Sequence, residues 1–217
     1  MGATSESNTQ AVLVLACGAL ANELVQVLRA NAWDHVRVQC LPARLHNRPE
    51  RIPEAVREAI HRGRAQYRHI FVAYADCGTG GALDRVLEEE GVERMPGAHC
   101  YEFFAGSSAF TAMAEEEPGT FYLTDFLARH FDRLVLQGLG IDRCPELLPM
   151  YFGNYRRMVY LAQRRDEGLR ARAEAAAQRL GLELEVRYTG LASFQDALAP
   201  IHLTETRRGQ VDNSVLA

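Results

Sequence analysis

The sequence predicts an α/β protein: a doubly wound, mainly parallel sheet with flanking helices, folded as a single domain. Two observations carry this. A continuous apolar run followed by a turn and a stretch of helical periodicity occurs three times in the first ninety or so residues, and repeated strand-turn-helix units build parallel sheets. The 217 residues, 47% hydrophobic and 24% charged, are also enough to bury one full core.

The elements follow in order. Residues 1–10, MGATSESNTQ, are polar and read as a disordered N-terminal segment, and the α/β domain is expected over residues 11–203. Ala11 to Ala16 is the first strand, Gly18 turns the chain, and Leu20, Leu24, Val27 and Leu28 recur at helical spacing. Val36 to Cys40 is a second strand, Leu41 to Pro49 a loop, and Ile52 to Arg62 a helix with Ile52, Val56 and Ile60 on one face. His69 to Ala75 is a third strand, followed by the turn CGTGG and a helix from Ala82 to Glu90. Met95 to Phe104 reads as a fourth strand with a bend. Tyr122 to Phe131 reads as a helix with Thr124 as N-cap, and Arg133 to Gln137 as a short strand or a continuation of that helix. From Tyr155 to Leu180 the pattern is helical, interrupted only by Gly168, with Gly181 at the C-cap. LELEVRYTG alternates as a late strand, Phe194 to Leu198 opens a last helix, and 204–217 read as a disordered tail.

Composition excludes several function classes. A formal charge of −4 and the lack of a basic stripe argue against nucleic acid as a partner. No apolar run approaches the roughly 20 residues that span a bilayer, and the N-terminus lacks a signal peptide's basic and apolar blocks, so no membrane partner and a cytoplasmic location are expected. All 24 basic residues are arginine, which removes a Schiff-base lysine and a Walker-type phosphate lysine. Five cysteines without an export signal read as reduced thiols, available for metal or redox chemistry.

Three constellations carry candidate chemistry. Cys17, Cys77 and Cys100 each fall where a strand should stop, and ligands gather outside the carboxyl ends of parallel strands. Three thiolates with His46 as a fourth ligand would suit zinc, and an iron-sulfur cluster is the alternative cofactor. The bland reading, small buried hydrophobes at strand ends, carries about equal weight. Cys40 and Cys144 read as structural. In the turn from Asp76 through Cys77, the residues Gly78, Thr79, Gly80 and Gly81 could present backbone amides to a small anionic ligand at a helix start, or could simply be a tight turn. The loop Leu45-His46-Asn47-Arg48-Pro49 offers a base, an amide and a guanidinium at the same expected edge, although exposed loop polarity explains it as well. Tyr151, Asn154, Tyr155 and Arg156 form a further polar-aromatic cluster that could close the cleft or bind a partner.

The strings ACGALANEL, LPARLHNRPERIP, DCGTGGALD, GAHCYEFFAG, PGTFYLTDFLARHFD and YFGNYRRMVYLAQ resemble the hallmark segments of the prokaryotic domain of unknown function 1638 family. The resemblance runs from about Val12 to the end of the folded chain. It implies a setting beside corrinoid proteins and the methyltransferases that demethylate methylated amines, and Cys17, His46, Cys77 and Cys100 fall inside its segments.

Together these readings give the expectation of a metal-binding α/β protein assisting corrinoid-linked one-carbon (methyl) metabolism, with a corrinoid protein or methyltransferase as partner. Cys17, Cys77 and Cys100 would ligate the metal and His46 would complete the set or act as base, with Asp76 and Glu102 orienting groups around it. Two alternatives stand beside it. One is a non-catalytic module holding a small-molecule anion at the CGTGG turn; the other is an accessory scaffold for a methyltransferase.

Overall fold

The computed structural model describes residues 11–201. The segment 1–10 and the tail 204–217, both expected to be disordered, lie outside the described residues. The described chain divides into two compact units, the first built from 11–45, 49–96 and 195–201, the second from 46–48 and 97–194.

In the first unit, β1 (Val12–Cys17), α1 (Ala21–Ala30), β2 (Val36–Leu41), α2 (Ile52–Gly63), β3 (His69–Ala73), α3 (Ala82–Glu90) and the short β4 (Glu93–Arg94) follow one another. Their strands form a parallel sheet in the order β2-β1-β3-β4, with Ala16 level with both Cys40 and Ala73. Every residue of β1 is buried, as an inner parallel strand covered on both faces requires. The helices bury the predicted stripes, Leu24 and Val27 on α1 and Ile52, Val56 and Ile60 on α2. At the end of α2 the backbone comes so close to the sheet that a Cβ on Gly63 would lie 2.5 Å from Leu13 Cδ2. A larger residue there would force the Leu13 side chain to move.

In the second unit come α4 (Tyr101–Ala105), α5 (Ser107–Glu116), β5 (Thr120–Thr124), α6 (Asp125–Arg129), a π-helix (Asp132–Leu136), α7 (Leu147–Phe152), β6 (Arg157–Ala162), α8 (Glu167–Leu180), β7 (Glu183–Tyr188) and the start of α9 (Ala192–Ala197). A parallel sheet runs β5-β6-β7. Alternate residues of β6 face opposite ways: Met158, Tyr160 and Ala162 pack with Leu169, Ala173 and Ala177 of α8, while Val159 and Leu161 pack with Phe110 and Met113 of α5. The expected class therefore holds, parallel strands with helices on their faces, with the strands divided between sheets of four and three.

Several elements differ from expectation. Met95 to Phe104 is not a strand: pairing ends at Arg94, the chain turns at Gly97, and residues 101–105 are helical so that Phe103 and Phe104 can be buried together. Tyr122 to Thr124 belongs to β5, although Thr124 does cap the following helix by accepting from Leu127 N at 3.3 Å. Of the two readings of 133–137, strand and helical continuation, the helical one holds over 133–136, as a π-helix rather than an α-helix. The span from Tyr155 to Leu180 contains the strand β6 before α8 begins at Glu167. A run buried on both faces has no polar face, so periodicity cannot distinguish it from a buried helix. Among the described residues no helix is long and apolar enough to cross a membrane.

Candidate functional site

The carboxyl edge of the first sheet collects thiols. Cys17 ends β1, Cys40 is the penultimate residue of β2, and Cys77 lies four residues beyond the end of β3. Cys17 is buried, Cys77 half-buried and Cys40 exposed. The Cys17 sulfur accepts from Ala19 N at 3.5 Å and so caps the turn that follows the strand. Burial pushes the Cys17 thiol up to about 11; nearby Cys77 and Cys40 add to the rise, and the Ala19 amide works against it. Tyr74, the first residue after β3, is buried, and its hydroxyl interacts with the Cys17 thiol. That interaction falls short of formed hydrogen-bond geometry, so Tyr74 Oη has no hydrogen-bond partner among the described residues. Burial and the neighbouring thiols raise the phenol well above its ordinary value. Cys40 and Cys144, read from sequence as structural, are both exposed.

The glycine turn has an occupant. Cys77 itself adopts a left-handed backbone, φ +50°, a conformation that non-glycine residues adopt sparingly and that clusters at functional sites. Asp76 fastens the turn: its carboxylate accepts from Thr79 Oγ1 at 2.6 Å, Gly81 N at 2.8 Å and Gly80 N at 3.1 Å. Burial disfavours the Asp76 charge, but these donors, with the Gly78 amide, outweigh it and hold the carboxyl below its ordinary range. The anion held by the amides of CGTGG is thus the chain's own aspartate. Arg94, forked onto Asp84 at 2.5 and 2.9 Å, lies near enough for its charge to be felt by Asp76 and Cys77.

His46, Cys100 and Glu102 belong to the second unit, whereas Cys17, Asp76, Cys77 and the turn glycines belong to the first. His46 is exposed on a 3-10 turn (Ala43–Asn47). The protein around it and, to a lesser extent, His99 lower its pKa, a shift that its solvent exposure keeps in check. Cys100 is half-buried at the start of α4. The Glu102 carboxylate reaches back to accept from Ala98 N at 2.6 Å and His99 N at 3.1 Å, so it holds the turn that presents Cys100. Asn47, beside His46, donates from Nδ2 to Leu134 O at 2.8 Å, which anchors the loop to the π-helix.

A polar centre that sequence reasoning missed lies at the carboxyl edge of the second sheet. Asp125, 2% exposed, accepts from Tyr160 Oη at 2.7 Å and Gln163 N at 3.2 Å, and Arg164 Nε stands 3.8 Å away. The Gln163 side chain closes the loop by accepting from Asp125 N at 2.9 Å. Burial first, and then the carboxylate beside it, raise the Tyr160 phenol far above its ordinary value. An aspartate in the first turn of a short helix looks like an ordinary dipole partner, and nothing in its own segment signals Tyr160.

The donor chemistry of the thiol edge, soft sulfur beside an orphaned phenol, is of the kind zinc selects. The number of donors falls short: among the described residues no group of three or more His, Cys, Asp or Glu side chains is placed to hold a metal ion.

No curated protein and no solved structure matches the chain. A family model does, over residues 40–198, a range that includes His46, Cys77 and Cys100 and begins after Cys17. By that match the chain belongs to the family described as Protein of unknown function (DUF1638).

Proposed function

We propose that the chain is a thiol-based metal-binding α/β protein of corrinoid-linked one-carbon (methyl) metabolism, working from the carboxyl edge of its four-stranded sheet, with zinc favoured over an iron-sulfur cluster. The observation that supports it most is the electrostatic coupling of Cys17, Cys77 and Cys40 around the orphaned hydroxyl of Tyr74. The metabolic setting rests on the resemblance to proteins encoded beside corrinoid methyltransferases. The chain's own part at that edge is to offer Cys17 and Cys77 as thiol donors and to fix Cys77 through the Asp76 turn.

Elemental analysis and an ultraviolet-visible spectrum of anaerobically purified protein test this. Stoichiometric zinc in the wild type that is lost in a Cys17→Ala, Cys77→Ala variant is the expected result. Adding zinc to metal-free protein at pH 8 should also release protons, because a buried thiol that stays protonated to about pH 11 must give up its proton to bind. Folded, monodisperse wild type that takes up no metal and releases no proton overturns the reading. The accessory-scaffold alternative gains one observation of its own: Met150 and Tyr151 on α7 are 77% and 47% exposed. Co-purification with a methyltransferase, without bound metal, would favour it.

A further inference from the structure

We propose that the cavity bounded by α6, the π-helix and α8 binds a small phosphorylated ligand through Arg129, Arg133, Arg172 and Arg179. This site lies within the second unit and is independent of the thiol edge. The cavity measures about 510 Å³, within the range of small-molecule sites. Four guanidinium groups line it against one carboxylate, that of Asp132. The supply comes from two separate segments. Arg172 and Arg179 stand seven residues apart on one face of α8, with the small side chains of Ala175 and Ala176 between them leaving the space open. Arg129 ends α6, and Arg133 sits in the first turn of the π-helix.

Two further observations support a ligand site here, the first of them an anionic one. Other arginines of this unit find carboxylates: Arg164 pairs with Asp166 at 3.2 Å and Arg170 with Glu174 at 3.0 Å. None of the four cavity arginines makes a salt bridge among the described residues. Three of them act together on His130 in the cavity wall, whose pKa is lowered by burial and then by Arg133, Arg129 and Arg172. The ring is therefore neutral and can hydrogen-bond a ligand. The second observation is the wall itself. A π-helix is rare and recurs at functional sites, and here Asn47 braces it by donating to the Leu134 carbonyl.

A phosphate group brings up to two charges and three strong acceptors, which match several guanidinium forks at once. The net charge of −4 opposes a long polyanion and leaves a small one. Isothermal titration calorimetry at low salt, with inorganic pyrophosphate as the probe and citrate as a polycarboxylate comparison, decides the matter. An Arg172→Gln, Arg179→Gln variant changes two exposed side chains, and circular dichroism verifies its fold. An Arg62→Gln, Arg143→Gln variant removes the same charge outside the cavity. Saturable pyrophosphate binding that weakens on the order of tenfold or more in the first variant, and stays unchanged in the second, is expected. No saturable binding to wild type, equal weakening in both variants, or citrate binding tighter than pyrophosphate would overturn the assignment.

Discussion

Each unit places an aspartate just past the end of a parallel strand, and the two are used in opposite ways. Asp76 turns back on its own segment and satisfies amides no more than five residues away, at an edge half open to solvent. Asp125 is buried and reaches across to β6, where Tyr160 and the Gln163 amide are its donors. The tyrosines show the same contrast. Tyr160 donates to a carboxylate, whereas the Tyr74 hydroxyl faces a thiol without a hydrogen bond. A saturated buried network locks a fold, while an unsatisfied polar atom at a strand end is what a binding site leaves for its ligand. At the end of β5 the buried carboxylate of Asp125 is satisfied from within, whereas past β3 the buried Tyr74 hydroxyl has no hydrogen-bond partner among the described residues.

That contrast can be broken most directly at the aspartates. Asp125→Ala should cost about 3 kcal/mol in urea unfolding, because two buried donors lose their acceptor, against about 1 kcal/mol for Asp76→Ala, whose freed amides water can reach. Equal losses would erase the distinction.

The next effect is a pH dependence. A thiol whose pKa is raised by folding contributes stability that is fully present below the unfolded value, near 9, and is lost as pH rises toward about 11. The wild type should lose about 2 to 3 kcal/mol relative to Cys17→Ala between those limits. Parallel stability curves for the two proteins across that window would show that Cys17 ionises freely.

The smallest effects separate the tyrosines. Tyr160→Phe removes a donor to a charged group and should cost about 2 kcal/mol, whereas Tyr74→Phe removes a hydroxyl with no hydrogen bond and should be neutral or stabilising by up to about 1 kcal/mol. A destabilising Tyr74→Phe would mean that the hydroxyl is already satisfied.

The first unit was legible because its strands and helices are separated by unambiguous turns: Gly18 after β1, and CGTGG after β3. In the second unit the strand TFYLT runs directly into α6, and RMVYLA stands a few residues before α8, so apolar runs merged with helical periodicity. Candidate sites divided in a similar way. Cys17 at the end of its strand and the glycine turn could be read locally, whereas Cys100, expected where a strand stops, instead starts a helix. The occupation of the turn amides by Asp76 depends on side-chain geometry, and the meeting of Tyr160 with Asp125, 35 residues apart, depends on tertiary structure. The cavity arginines were visible singly, but their convergence depends on α6 and α8 packing together.

The path of the chain sets the order in which the protein can be completed during synthesis. Three residues of the loop at His46 belong to the second unit, and the first unit is finished only by residues from Gln195 onward, where the Gln195 side chain donates to Asn31 Oδ1 at 3.3 Å and Leu198 is fully buried. All four strands of the first sheet emerge before the second unit, but an emerging nascent chain cannot complete the packing of its first unit until after the second has been made, unlike sequential domains. The four-stranded unit waits on the ribosome for the last helix, and proteolytic or genetic separation at residue 96 would leave neither piece whole.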